Sequence, residues 1–156
     1  MSSSLRIAIA DDDRSVRKTL LCMLENLGHS VVVIAEDGRS LVDQCTIAQP
    51  DVVITDNLMD KMSGLDAAAV IYRSRPIPIV LLSACCNPTI VRNAEEMHIL
   101  VYLVKPVSQP HLEAVLMRCD DELTHVARNG AGRDVVIVRS YTQLVTDSRF
   151  KVEPRL

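Results

Sequence analysis

The sequence predicts an α/β fold, a doubly wound five-stranded parallel sheet with helices on both faces. Two observations predict it. Short aliphatic or β-branched runs alternate five times with segments whose apolar residues recur at helical spacing. The runs are continuously apolar rather than alternating, as strands covered on both faces are. At 156 residues the chain is long enough for one domain with a real core, and with aromatics at only 3% that core must be aliphatic.

The elements follow in order. Leu5–Ala10 is an apolar run ending in three aspartates. Arg14–Leu27 carries Val16, Leu20, Leu21, Leu24 and Leu27 on one helical face, and Gly28 stops it. Ser30–Ala35 is β-branched and reads as the second strand. Leu41–Ala48, entered after Asp37-Gly38, reads as the second helix, and Pro50 introduces a third strand, Asp51–Thr55, with Asp56 at its end. Gly64–Tyr72 is the third helix. Pro76 and Pro78 bracket the start of the fourth strand, Ile79–Leu82, and Pro88–Met97 is a weaker fourth helix. Leu100–Val104 is the fifth strand, ended by Lys105-Pro106. The fifth helix begins at Ser108 or Gln109, with Pro110 in its first turn, and its stripe of Leu112, Val115, Leu116 and Cys119 runs to about Thr124. Right-handed crossovers then give the flavodoxin-like strand order 2-1-3-4-5, in which polar ligands bind beyond the carboxyl ends of the strands. Asn129-Gly130-Ala131-Gly132 is a break. Asp134–Val138 is a candidate extra strand, and the last residues, with Pro154 and mixed charge, are expected to be disordered.

Bulk properties exclude several classes. A net charge of −3 argues against a dedicated nucleic-acid binder. The five cysteines, Cys22, Cys45, Cys85, Cys86 and Cys119, are odd in number and form no CxxC pair, so reduced thiols in a cytoplasmic chain are expected rather than disulfides or a zinc site. No secretory leader is expected at Met1–Ser4, and no apolar segment approaches the ~20 residues needed to span a bilayer.

The chemistry lies in the polar residues that end the strands. Asp11-Asp12-Asp13 ends the first, Asp56 the third, Ser83-Ala84 the fourth and Lys105-Pro106 the fifth. A parallel sheet brings all four ends to one edge. Carboxylates gathered there repel by up to ~4 kcal/mol per pair at 4 Å and an effective dielectric of 20, so positive charge must offset them. A few carboxylate oxygens suit magnesium, and Lys105 supplies a fixed ammonium. Such a site can let a carboxylate attack a phosphoryl group, with Ser83 donating to one transferring oxygen.

The stretches IADDDRSVR (9–17), DVVITDNLMDKMSG (51–64), PIVLLSA (78–84) and YLVKP (102–106) resemble the receiver domain of two-component response regulators, over roughly Leu5–Glu122. The resemblance implies a phosphoprotein, regulatory rather than enzymatic, with a receiver at 1–127 and an extension at 128–156. It implies Asp56 as phosphoacceptor, and Asp11, Asp12, Asp56 and the Leu58 backbone carbonyl as ligands of Mg2+. Lys105 matches the phosphate-binding lysine, with a cis bond to Pro106, and Ser83 and Tyr102 match the switch pair. On this pattern phosphorylation draws Ser83 toward the phosphoryl group, Tyr102 turns inward, and the surface of the fourth helix, fifth strand and fifth helix changes. The implied partners are a sensor histidine kinase or phosphotransfer protein, and a second copy of the chain through that same surface, with no direct nucleic-acid or membrane contact.

The sequence departs from the family pattern in three places. Asp60 stands where Pro is usual, Met97-His98-Ile99 replaces a Gly-Ala turn, and Val107 replaces a common Phe. The nearest rival is a haloacid-dehalogenase-like phosphatase, which begins with a similar D-x-D and would use Asp11. The other is an interaction module that works without phosphorylation. Asp13 is expected to cap the first helix. Arg17 with Lys18 reads as a solvated helix face, His98 as a surface residue, and His29, His111 and His125 as lacking ligand spacing. YLVKPVS is similar to receivers fused to RNA-binding antiterminator modules, but the tail shows neither their helical bundle nor a helix-turn-helix.

Overall fold

The computed structural model describes residues 3–84, 87–129 and 136–138. Strands β1 (Arg6–Ala10), β2 (Ser30–Ala35), β3 (Val52–Asp56), β4 (Ile79–Ser83) and β5 (Val101–Val104) pair in parallel in the expected order. Helices α1 (Arg14–Asn26), α2 (Gly38–Ala48), α3 (Gly64–Ser74), α4 (Pro88–Glu96) and α5 (Gln109–Asn129) connect them. A sixth strand, β6 (Val136–Val138), extends the sheet beyond β5, again in parallel.

Why the strands read as unbroken apolar runs is now plain, because each alternate residue serves a different core. Ile7, Ile9, Val52, Ile54, Val80, Leu82, Val101 and Leu103 pack under α1 and α5 with Leu20, Leu24, Leu112, Val115, Leu116 and Cys119. Ala8, Ala10, Val53, Ile79, Leu81 and Tyr102 face the other way, against Leu41, Cys45, Leu65, Ala67, Ala68, Ile71 and Ala94. Alanines on β1 and α3 keep that second layer thin. Burial in it pushes the Cys45 thiol up to about 12, so the group is neutral and inert.

The helix ends follow their local chemistry. The Asp13 carboxylate accepts from the Ser15 N–H and caps α1, and Gly28 closes the following turn at φ 85. Asp37 caps α2 through the Ser40 N–H and Ser63 caps α3 through the Asp66 N–H, so α2 begins at Gly38, three residues before the apolar stripe that predicted it. α5 runs five residues past the expected end, through the position 127 boundary, because nothing before Asn129 breaks it. The expected disordered end lies outside the described residues, as do Cys85 and Cys86. Among the described residues no helix is long and apolar enough to cross a membrane, and Cys22, Cys45 and Cys119 are not in disulfides.

Candidate functional site

The strand register delivers the polar ends to one place. Ala10 pairs with Thr55, so Asp11 and Asp56 leave adjacent strands at the same level. Ser83 pairs with Val104, which puts Ser83 and Lys105 beside them on the next two strands. Carboxylate oxygens of Asp11, Asp12 and Asp56 all lie within 4.8 Å of one another. Lys105 Nζ donates to Asp11 Oδ2 at 2.8 Å and stands 3.3 Å from Asp56 Oδ1. Asp11 is fully buried, Asp56 and Ser83 are nearly so, and Asp12 is exposed.

Three carboxylates against one ammonium leave the site short of positive charge. Burial pushes the Asp56 carboxyl above its ordinary value, the Lys105 charge opposes that shift, and the Asp11 charge adds to it. For Lys105, burial works against the charged form, but the hydrogen bond and charge of Asp11, with help from Asp56, hold the ammonium above its usual range. Oxygen donors this close and this undercompensated fit a hard divalent cation such as magnesium.

One finding corrects the sequence-based expectation. Arg17 is not part of a solvated face. Its guanidinium reaches back one turn to donate to the Asp11 carbonyl at 2.7 Å and the Asp12 carbonyl at 3.3 Å. The Asp11 carboxylate in turn accepts the Asp13 N–H at 2.9 Å. The acidic turn is therefore held rigid by bonds that do not consume the Asp12 side chain. A basic residue one turn into a helix that follows an acidic turn was the signal.

A family model for the response regulator receiver domain matches residues 7–117. The chain belongs to the response regulator receiver family. Transcriptional regulatory protein PdtaR of Mycobacterium tuberculosis is 38% identical over 103 residues, covering 66% of this chain and 50% of that protein. The chain thus spans about half the length of the curated relatives it matches. Among solved structures, the signal receiver domain of the response regulator NarL from M. tuberculosis superposes with a TM-score of 0.71 at 27% identity, over 76% of this chain and 98% of that one. A CheY-like receiver domain protein from Methanospirillum hungatei shares the fold with a TM-score of 0.74 at 20% identity, over 79% and 98%.

Within this receiver the loop after β3 is held without the usual proline. Asp60 is exposed, and its carbonyl accepts the Met62 N–H. Lys61, at φ 63, pairs with the buried Asp37 carboxylate at 3.3 Å, and the Met62 carbonyl accepts the Gly38 N–H. A Cβ at Gly38 would strike the Met62 carbonyl, and one at Gly64 would strike that of Asp56. Asn57, which attracted no attention in the sequence, closes the turn: its carbonyl accepts the Gly64 N–H and its Oδ1 the Leu65 N–H. An amide directly after the strand-end acid was the available sign.

The other departures also resolve. His98 sits at φ 61, taking the left-handed position a glycine would fill, and stacks on Tyr72 with ring centroids 4.4 Å apart. Val107 lines an apolar groove of about 450 Å³ with Val16, Leu20, Met23 and Pro106, opening beside Lys105. The Lys105–Pro106 bond is cis. Tyr102 is fully buried in the α2–α4 core, so the described conformer already has the ring inward. Leu58 is 75% exposed.

Proposed function

We propose that this receiver takes up a phosphoryl group on Asp56 in a magnesium-dependent reaction and signals through the resulting acyl phosphate. The observation that carries the reading is the Lys105 ammonium, set between the carboxylates of Asp11 and Asp56 at 2.8 and 3.3 Å. An oxygen of ionised Asp56 attacks the phosphorus, an acyl phosphate forms, and the donor leaves with the bonding electrons of the broken P–O or P–N bond. Lys105 exchanges part of its pairing to Asp56 for a phosphoryl oxygen, and the Ser83 hydroxyl donates to another. Asp11, Asp12, Asp56 and the Leu58 carbonyl would hold magnesium, which supplies further charge neutralisation on the transferring oxygens.

Asp11 is the weaker nucleophile, which argues against the phosphatase alternative. Both of its oxygens are engaged, one by Lys105 and one by the Asp13 N–H, and it has no exposed surface. The groove lined by Val16, Leu20, Met23, Pro106 and Val107 gives a histidine kinase or phosphotransfer protein an apolar seat next to Lys105. Ser83 and Tyr102, on neighbouring strands, would couple the phosphoryl group to the surface of α4, β5 and α5.

Incubation with radiolabelled acetyl phosphate and magnesium tests the assignment. Wild type acquires acid-stable, base-labile label and Asp56→Ala acquires none, whereas Asp11→Asn retains measurable uptake. Label on Asp56→Ala would refute Asp56 as acceptor, and no label on wild type with either acetyl phosphate or a kinase would favour a phosphorylation-independent interaction module.

A further inference from the structure

The sixth strand sits on the outer edge of β5. Val101, Tyr102 and Leu103 pair in parallel with Val136, Ile137 and Val138. Without it, that edge would present unpaired backbone groups on a strand whose residues Val101, Tyr102 and Leu103 are buried, the arrangement that invites another strand to add.

A second observation lies on α5. At about 100° per residue, Leu112, Val115, Leu116 and Cys119 point into the core. Gln109 and Asp120 mark the side facing α1 and β1, through Asn26 and Ser3. Ala114, Arg118 and Glu122 lie on the opposite flank, toward the β5 edge. In a five-stranded sheet that flank would overhang solvent. Here Ala114 is 5% and Glu122 4% exposed, and Arg118 pairs with Glu122 at 2.8 Å. Residue Asp121, on the true outer face, is exposed.

We propose that β6 is an intramolecular plug, which holds the outer edge of β5 and the adjoining flank of α5 away from a second copy of the chain. A second copy presents the same edge, and two such edges related by a twofold axis pair antiparallel. Covering the edge from within the chain therefore competes directly with association. The plug is a property of the fold and does not depend on Asp56 chemistry.

Ile137→Pro in the full chain tests it, because proline, fixed in φ and without an N–H, is the residue least suited to the centre of a three-residue paired strand. Amide exchange at Val101–Leu103 is expected to rise about tenfold or more while β1 and β3 stay protected. Sedimentation at micromolar concentration is expected to shift from monomer toward dimer. Ile137→Gly, which weakens the strand but keeps the donor, gives the same pattern in smaller degree and serves if the proline variant does not fold. Unchanged exchange in β5, or faster exchange in a protein that stays monomeric, would overturn the proposal.

Discussion

The two ends of the sheet carry similar polar residues and use them differently. At the amino-terminal end the polar groups are tied to backbone. Asp51 accepts the Arg6 N–H at 2.8 Å, the Arg6 guanidinium donates to the Gln49 carbonyl, Arg75 donates to the Pro50 carbonyl, and His29 Nδ1 accepts the Leu5 N–H. Each contact fastens a turn. At the carboxyl end, Asp11, Asp12 and Asp56 gather within 4.8 Å against the single ammonium of Lys105. One end is satisfied and structural, and the other is held with more negative charge than its ammonium offsets. The lesson is that function shows as imbalance held in place by rigid neighbours.

The sharpest way to break the contrast is to disturb the backbone that holds the acidic end. Gly64→Val places side-chain carbon against the Asp56 carbonyl, and a loss of more than ~3 kcal/mol is expected in urea unfolding. Next, Lys105→Met removes the one positive charge fixed between Asp11 and Asp56. Phosphoryl uptake should fall by about 100-fold or more, while Arg6→Met at the other end leaves uptake unchanged.

Magnesium should act on the acidic end alone. Saturating the site at a hundredfold excess over Kd should stabilise wild type by about 2.7 kcal/mol, and calorimetry of Asp12→Asn should show that gain largely lost. In metal-free buffer the sign reverses, since Asp12→Asn removes repulsion and should raise Tm. Arg17→Ala comes next. It frees the Asp11 and Asp12 carbonyls and should cost about 1–2 kcal/mol of stability, with a weaker magnesium response.

The smallest effect belongs to the structural end. Burial lowers the pKa of His29 below its ordinary value, and the Asp120 charge only partly opposes this. The neutral ring accepts from Leu5, so the folded protein binds the proton less well than the unfolded chain. Stability is then fully present above about pH 6.5 and declines as pH falls through that value toward the lowered folded value. His111 is shifted the same way by burial. Thermal melts of His29→Gln should show a shallower decline between pH 7 and 5.5 than wild type.

Much of this was legible in the chain itself. Continuous apolar runs named the strands, and the residues ending them named the site, because parallel pairing forces every carboxyl end to one edge. Arg17 and Asn57 left only faint local signs, since their partners are backbone carbonyls and N–H groups that any sequence possesses. Lys61 replaced a proline's stiffness only by reaching Asp37, 24 positions away. His98 is the exposed residue its sequence suggests, but only its φ shows it filling a glycine's place.

The strand and helix order, the acidic edge and the lysine that faces it could be read from the chain alone, because these follow from local periodicity and from where apolar runs stop. Only the tertiary structure decided how close the carboxylates stand, that Tyr102 lies inside, and that β6 covers β5. Distances and edges depend on register and on contacts between residues far apart in the chain, which no local pattern encodes.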